Sequence, residues 1–162
     1  MTPKQQFIAK VGATAAALAA SLVMVFEGYV PRAYRDPVGI LTACYGHTGV
    51  DVQPGQSYTR EQCQAWLYAD LARHADALAC VRVPLTDGQK AAFVSFAYNV
   101  GSGAFCQSTL VRRANAGELP AACAELDRWV YAKGQKLPGL IQRRAAERAM
   151  CEGRAAANTQ HF

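Results

Sequence analysis

From Phe7 to Phe26 the chain runs FIAKVGATAAALAASLVMVF, twenty residues in which Lys10 is the one charge. As a helix this run would span about 30 Å, the hydrocarbon thickness of a bilayer. Lys4 and Lys10 stand near its start and no acidic residue precedes Glu27, a bias that suits a cytoplasmic amino terminus. Alanine, glycine, serine and threonine dominate it, so its hydrophobicity is marginal for a permanent anchor. Three readings compete: a cleaved signal peptide with ALAAS at 17–21 as the cleavage site, a weak membrane anchor, or an ordinary buried helix.

Past Glu27 the pattern changes. AYRD, PVG and ILTACYG predict a short β-hairpin whose turn centres near Gly39, which would set Asp36 and Thr42 opposite one another. Residues 50–58, with Asp, Pro, Gly and Ser, read as a loop. TREQ at 59–62 is a capping-box pattern opening a long helix through Cys80, with Cys63, Trp66, Leu67, Leu71 and Leu78 on an apolar stripe. TDGQ at 86–89 opens a second helix, apolar nearly all round and therefore central, which Gly101 and Gly103 should stop. Helical stretches follow near 105–115, 120–132 and 138–151, with Pro120 and Pro138 close to two starts. The residues after Gly153 are polar and should fray. The sum is α+β: mostly helix, with a small hairpin lobe joined by a long helix to a helical lobe.

Composition narrows the partners. The 162 residues suit one domain with a substantial core, half apolar and under a fifth charged. A net charge of +5 points to an anionic partner: nucleic acid, an anionic membrane or a bacterial cell wall. No Lys/Arg run interleaved with aromatics appears, so nucleic acid is set aside. Cysteines stand at 44, 63, 80, 106, 123 and 151, with no C-x-x-C pair and three histidines, a spacing unlike any zinc site. They read either as six buried thiols or, given an apparent export segment, as disulfides in an oxidising compartment.

The densest chemistry follows the apolar run directly. Glu27 and Asp36 lie nine positions apart, with Thr42 six further on. Two carboxylates across a cleft are what glycoside hydrolysis uses: one protonates the leaving oxygen, the other acts from the opposite face. Taken singly, Asp36 could equally be a turn-initiating carboxylate before Pro37, and Thr42 a plain strand residue. The whole pattern is more specific. Glu27, Asp36 and Thr42, followed by YGHTG, FAYNVGSGAF at 96–105 and LPGLIQRRAAER at 137–148, resemble the phage-type lysozymes of glycoside hydrolase family 24 over residues 26 to 152. The resemblance is closest to the lambdoid branch that carries an amino-terminal signal-anchor-release segment.

That resemblance implies a muramidase cutting the β-1,4 bond between N-acetylmuramic acid and N-acetylglucosamine, an inverting mechanism, no cofactor or metal, and lysis of the host for phage release. Glu27 would be the general acid, its proton retained with help from the apolar wall of Phe26 and the helical lobe. Asp36 would stabilise positive charge on the sugar or activate water, and Thr42 would hold that water. His47 is expected to bond Asp70 on the long helix, the alternative being an exposed loop histidine. Tyr98 and Asn99 are candidates to line the sugar cleft, although Tyr98 could be core. One of Arg143 and Arg144 could balance Glu27, or both could face water. The expected bridges are Cys44–Cys63, fastening hairpin to helix, with Cys106–Cys123 and Cys80–Cys151 in the helical lobe. The implied organisation is a releasable anchor over 1–26, a catalytic domain over 27–153 and a tail over 154–162. The expected partners are peptidoglycan, the export machinery and the bacterial inner membrane through residues 7–26. The monomer would have its amino terminus cytoplasmic and its domain periplasmic before release. The alternative is a non-catalytic wall-binding protein on a permanent anchor.

Overall fold

The apolar amino-terminal run is not one helix. In the computed structural model, which describes residues 1–154, Gly12 adopts φ +91° and splits it into α1 (Pro3–Val11) and α2 (Ala13–Glu27). That backbone region is open to glycine at little cost, so the break falls where the sequence permits it. The two helices are bent by 117°, and no single helix among the described residues is long and apolar enough to cross a membrane. Thr2 and Gln5 close a capping box ahead of α1, with Pro3 in its first turn. Phe7 and Val11 of α1, and Ala15, Ala16, Ala19, Ala20, Leu22 and Val23 of α2, are buried in the core shared with the rest of the chain. Lys10 ends the apolar face on its own partners: its Nζ donates to the Ala72 carbonyl at 3.0 Å and to Asp76 Oδ1 at 2.7 Å.

Beyond Gly28 the chain forms a three-stranded antiparallel sheet in the order β1 (Val30–Arg35), β2 (Leu41–Cys44), β3 (His47–Thr48). The register pairs Tyr34 with Thr42 and Arg35 with Leu41, so the turn centres on Val38 rather than Gly39. Asp36 therefore faces Ile40, its amide donating to that carbonyl at 2.9 Å, and not Thr42 as the sequence suggested. The cause is the Asp36 side chain, whose Oδ1 accepts from the amides of Val38 and Ile40 at 2.9 and 2.8 Å and tightens the turn.

The long helix α3 (Arg60–Ala75) starts at Thr59, whose hydroxyl accepts from the Gln62 amide, and ends in a 3-10 turn, Asp76–Cys80. The central helix α4 (Asp87–Val100) has both bonds of its Thr86–Gln89 box and stops at Gly101, φ +94°. The stretch expected at 105–115 is two helices, α5 (Ser102–Cys106) and α6 (Thr109–Asn115), because Ser108 caps α6 by accepting from the Val111 amide. The one expected at 120–132 is shorter: α7 (Leu119–Glu125), then a 3-10 turn at Leu126–Arg128. A two-residue hairpin of β4 (Tyr131–Ala132) and β5 (Gln135–Lys136) follows, with Lys133 and Gly134 both at positive φ. The last helix, α8 (Pro138–Cys151), has the predicted bounds. Packing runs α1 on α3, α2 on α4 and α4 on α8.

Three disulfides fasten this arrangement, Cys44–Cys63, Cys80–Cys106 and Cys123–Cys151. The first joins β2 to α3. The other two replace the expected Cys106–Cys123 and Cys80–Cys151. The 3-10 turn carrying Cys80 packs against α5, and α7 packs beside α8, which brings the paired Cα atoms to 5.6 and 5.7 Å.

Candidate active site

Glu27 is the last residue of α2, where Gly28 at φ +73° turns the chain into the sheet. Its carboxylate is bonded on one side and closely approached on the other. Oε1 accepts from Arg143 Nη1 at 2.7 Å, and Oε2 lies over Gly46, where an added Cβ would sit 2.6 Å away. Gly46, at φ +77° in the β2–β3 turn, thus meets both a backbone requirement and a close approach. With 21% of its side chain exposed, Glu27 is screened from bulk water yet reachable.

The hairpin presents the second carboxylate. One oxygen of Asp36 is occupied by its own turn, and the other has no protein donor among the described residues. Thr42 is buried, and its hydroxyl donates to the Ile40 carbonyl at 3.0 Å, leaving that oxygen able to accept from a water. Tyr34, directly across from Thr42, was not singled out in the sequence. Partial burial, then the charges of Glu27 and Asp36, raise its phenol above the ordinary 10, so it sits within electrostatic reach of both carboxylates. A tyrosine two positions before the hairpin aspartate was the available signal.

His47 and Asp70 come together as expected. His47 Nδ1 is 2.7 Å from Asp70 Oδ2, its Nε2 is 3.0 Å from Asp51 Oδ1, and its ring stacks on Trp66 with centroids 4.4 Å apart. Burial works against the imidazolium, but the bonds and charges of Asp70 and Asp51 outweigh it and hold His47 above its ordinary 6.5. The pair ties β3 to α3 and contains no group free for catalysis. Tyr98 is mostly buried and donates to the Tyr45 carbonyl at 2.6 Å, pinning the turn under Glu27; burial first, then Asp70 and Glu27, push its phenol well up. Asn99 is exposed and accepts from Arg144 Nη2.

Of the two arginines, Arg143 faces Glu27; neither faces water, being 3% and 0% exposed. Arg144 lies over the Phe96 ring at 4.9 Å. Between them stands Glu147, fully buried and missed in the sequence, although arginines three and four residues before a glutamate on one helix were the signal for it. Among the described residues no group of three or more His, Cys, Asp or Glu is placed to hold a metal ion. A groove of about 580 Å³ lined by Lys10, Asp76, Leu85 and Lys90 includes none of these residues. The arrangement therefore offers one carboxyl bonded to a buried arginine, a second carboxylate with one oxygen free of protein donors among the described residues, and on the neighbouring strand a hydroxyl that can still accept.

The phage lysozyme family model matches residues 24–147. The chain is 44% identical over 126 residues to a SAR-endolysin of Bacteriophage PS119, covering 77% of this chain and 75% of that one. It is 40% identical over 152 residues to a SAR-endolysin of Enterobacteria phage PA-2, covering 88% and 91%. Among solved structures it is similar to the muramidase domain of SpmX from Asticaccaulis excentricus, with TM-score 0.76, 36% identity, and 82% and 93% of the two chains covered.

Proposed function

The chain belongs to the phage lysozyme family, and within it we propose that Glu27 is the general acid, Asp36 the carboxylate opposite it and Thr42 the holder of the attacking water. The protein is an endolysin, a glycoside hydrolase that cuts the muramic acid–glucosamine backbone of peptidoglycan for phage release. Glu27 protonates the glycosidic oxygen as the bond breaks. Asp36, through its free oxygen, stabilises the oxocarbenium charge and polarises the water that Thr42 positions; an inverting enzyme requires that water between carboxylate and sugar. The observation that carries the assignment is the seat of Glu27 at the junction of helix and sheet, bonded by Arg143 and closely approached by the turn at Gly46. Lysis of permeabilised cells by Glu27→Gln should fall at least about a hundredfold, since the amide cannot donate the proton. Activity within a few-fold of wild type rejects the role.

The same segment that ends in Glu27 has the composition of a weak membrane span. Relatives called SAR-endolysins support a tethered state followed by release into the periplasm. While residues 7–26 span the bilayer, α2 cannot pack on α4, and Glu27 is pinned at the headgroups away from Arg143 and Gly46. The enzyme is then exported, anchored and silent. A positive amino terminus held inside gains about 2.3 kcal/mol per charge per 100 mV, and collapse of the potential removes that gain. On release Lys10 finds Asp76 and the Ala72 carbonyl, α1 and α2 bend at Gly12, and their small-residue face closes the core.

A further inference from the structure

Behind Glu27 lies a buried charge cluster that general acid catalysis leaves unexplained. Glu147 is fully buried on α8 and faces α4, where Ser95 Oγ donates to its Oε2 at 2.6 Å. Arg143 Nε approaches the same oxygen at 3.4 Å, while Arg143 Nη2 is 3.1 Å from the Ser95 carbonyl and Nη1 reaches Glu27. Arg144 Nε is 3.1 Å from Glu147 Oε1, close enough for an ion pair but not aligned as a hydrogen bond. Two guanidiniums and two carboxylates thus form one cluster, buried except at Glu27 and neutral when all four are charged.

A general acid must be protonated to act. With Glu27 protonated the cluster carries +1; without Glu147 it would carry +2, beside the proton that Glu27 has to keep. We propose that Glu147 is a positioning residue for the hydrolysis: it neutralises the paired arginines, so that Arg143 holds Glu27 in place without driving off its proton. The proposal rests on Glu27 being the general acid. Burial pushes the Glu147 carboxyl up, and Arg144, Arg143 and Ser95 act against it. The other titratable groups that feel Glu27 are Tyr34 on the hairpin, which also feels Asp36, and Tyr98 on α4, whose hydroxyl is already engaged. None of them lies between the two arginines.

The test is the pH–rate profile on purified peptidoglycan, with folding followed by thermal melts. Glu147→Gln keeps the shape and removes the charge. Its alkaline limb should move to lower pH by about one unit, giving about tenfold less activity above the limb and little change below it. Glu147→Asp should keep the wild-type limb, and Glu147→Gln combined with Arg144→Met, which restores neutrality, should return it. A folded Glu147→Gln whose activity is unchanged, or drops equally at every pH, overturns the proposal. Should that variant not fold, the double variant decides: a limb displaced from wild type overturns it. A Glu27→Gln enzyme with near wild-type activity would instead remove the general acid itself.

Discussion

The two faces of α2 separate anchoring from packing. Thr14, Ala17 and Ser21 are exposed in the released fold, whereas Ala15, Ala16 and Ala19 are 0–2% exposed against the core. In a bilayer all six face lipid and leucine favours insertion at each, by about 0.3–0.6 kcal/mol per residue and more at Thr14 and Ser21, where it replaces a hydroxyl. Leucine at Thr14, Ala17 and Ser21 should therefore stabilise the anchored state by roughly 1–2 kcal/mol and leave the released fold within about 0.5 kcal/mol of wild type. That corresponds to about 5–30-fold less release. Leucine at Ala15, Ala16 and Ala19 also favours the anchored state, by about 1 kcal/mol or more in all, but overpacks the core around α2 by about 1–3 kcal/mol per site. The assay is fractionation of membrane and periplasm with time after an uncoupler, alongside lysis and the melting temperature of purified protein. The exposed-face variant should stay in membranes and lyse late, with a normal melt; the buried-face variant should also melt early. Release of the exposed-face variant on the wild-type schedule refutes partitioning of this segment between bilayer and core.

Gly46→Ala places a methyl 2.6 Å from Glu27 Oε2 at a positive φ; it should lower activity at least tenfold, about 1.4 kcal/mol of misplacement, and wild-type rates would refute the close approach. Asp70→Asn removes the partner that raises His47, whose contribution to stability is present below about 6.5 and lost as pH rises through its folded value. The melting difference between wild type and Asp70→Asn should accordingly be largest at acidic pH and shrink on the alkaline side; a difference that grows with pH contradicts the ion pair. Non-reducing peptide maps of periplasmic protein should show Cys44–Cys63, Cys80–Cys106 and Cys123–Cys151, and a Cys106–Cys123 or Cys80–Cys151 peptide would contradict this core.

Local chemistry was legible in the sequence where it is settled within a few residues. The Thr86–Gln89 box, the bounds of α8 and the crowding of Glu27, Asp36 and Thr42 are of that kind. The hairpin register slipped because the Asp36 side chain, not the Pro-x-Gly pattern, decides which residue the turn centres on. The disulfide pairing depends on which helices lie side by side, a long-range outcome that spacing does not encode. For Arg143 and Arg144 the sequence left a partnership of one with Glu27 open beside a solvated face, and Glu147 drew no notice, because charge normally signals exposure; Arg143 takes the partnership, and burial of all three becomes intelligible only once α8 is seen against α4. Gly12 reads as one more small residue of a span until the fold breaks the helix there.

The central claim is that Glu27 drives cleavage of the muramic acid–glucosamine bond. It is tested most directly by digesting purified peptidoglycan with wild type and with Glu27→Gln, reducing the new ends with borohydride and identifying the reduced amino sugar. Wild type should yield muramicitol ends and Glu27→Gln at most about one hundredth as many. Glucosaminitol ends, or muramicitol from the variant at a rate close to wild type, would contradict it.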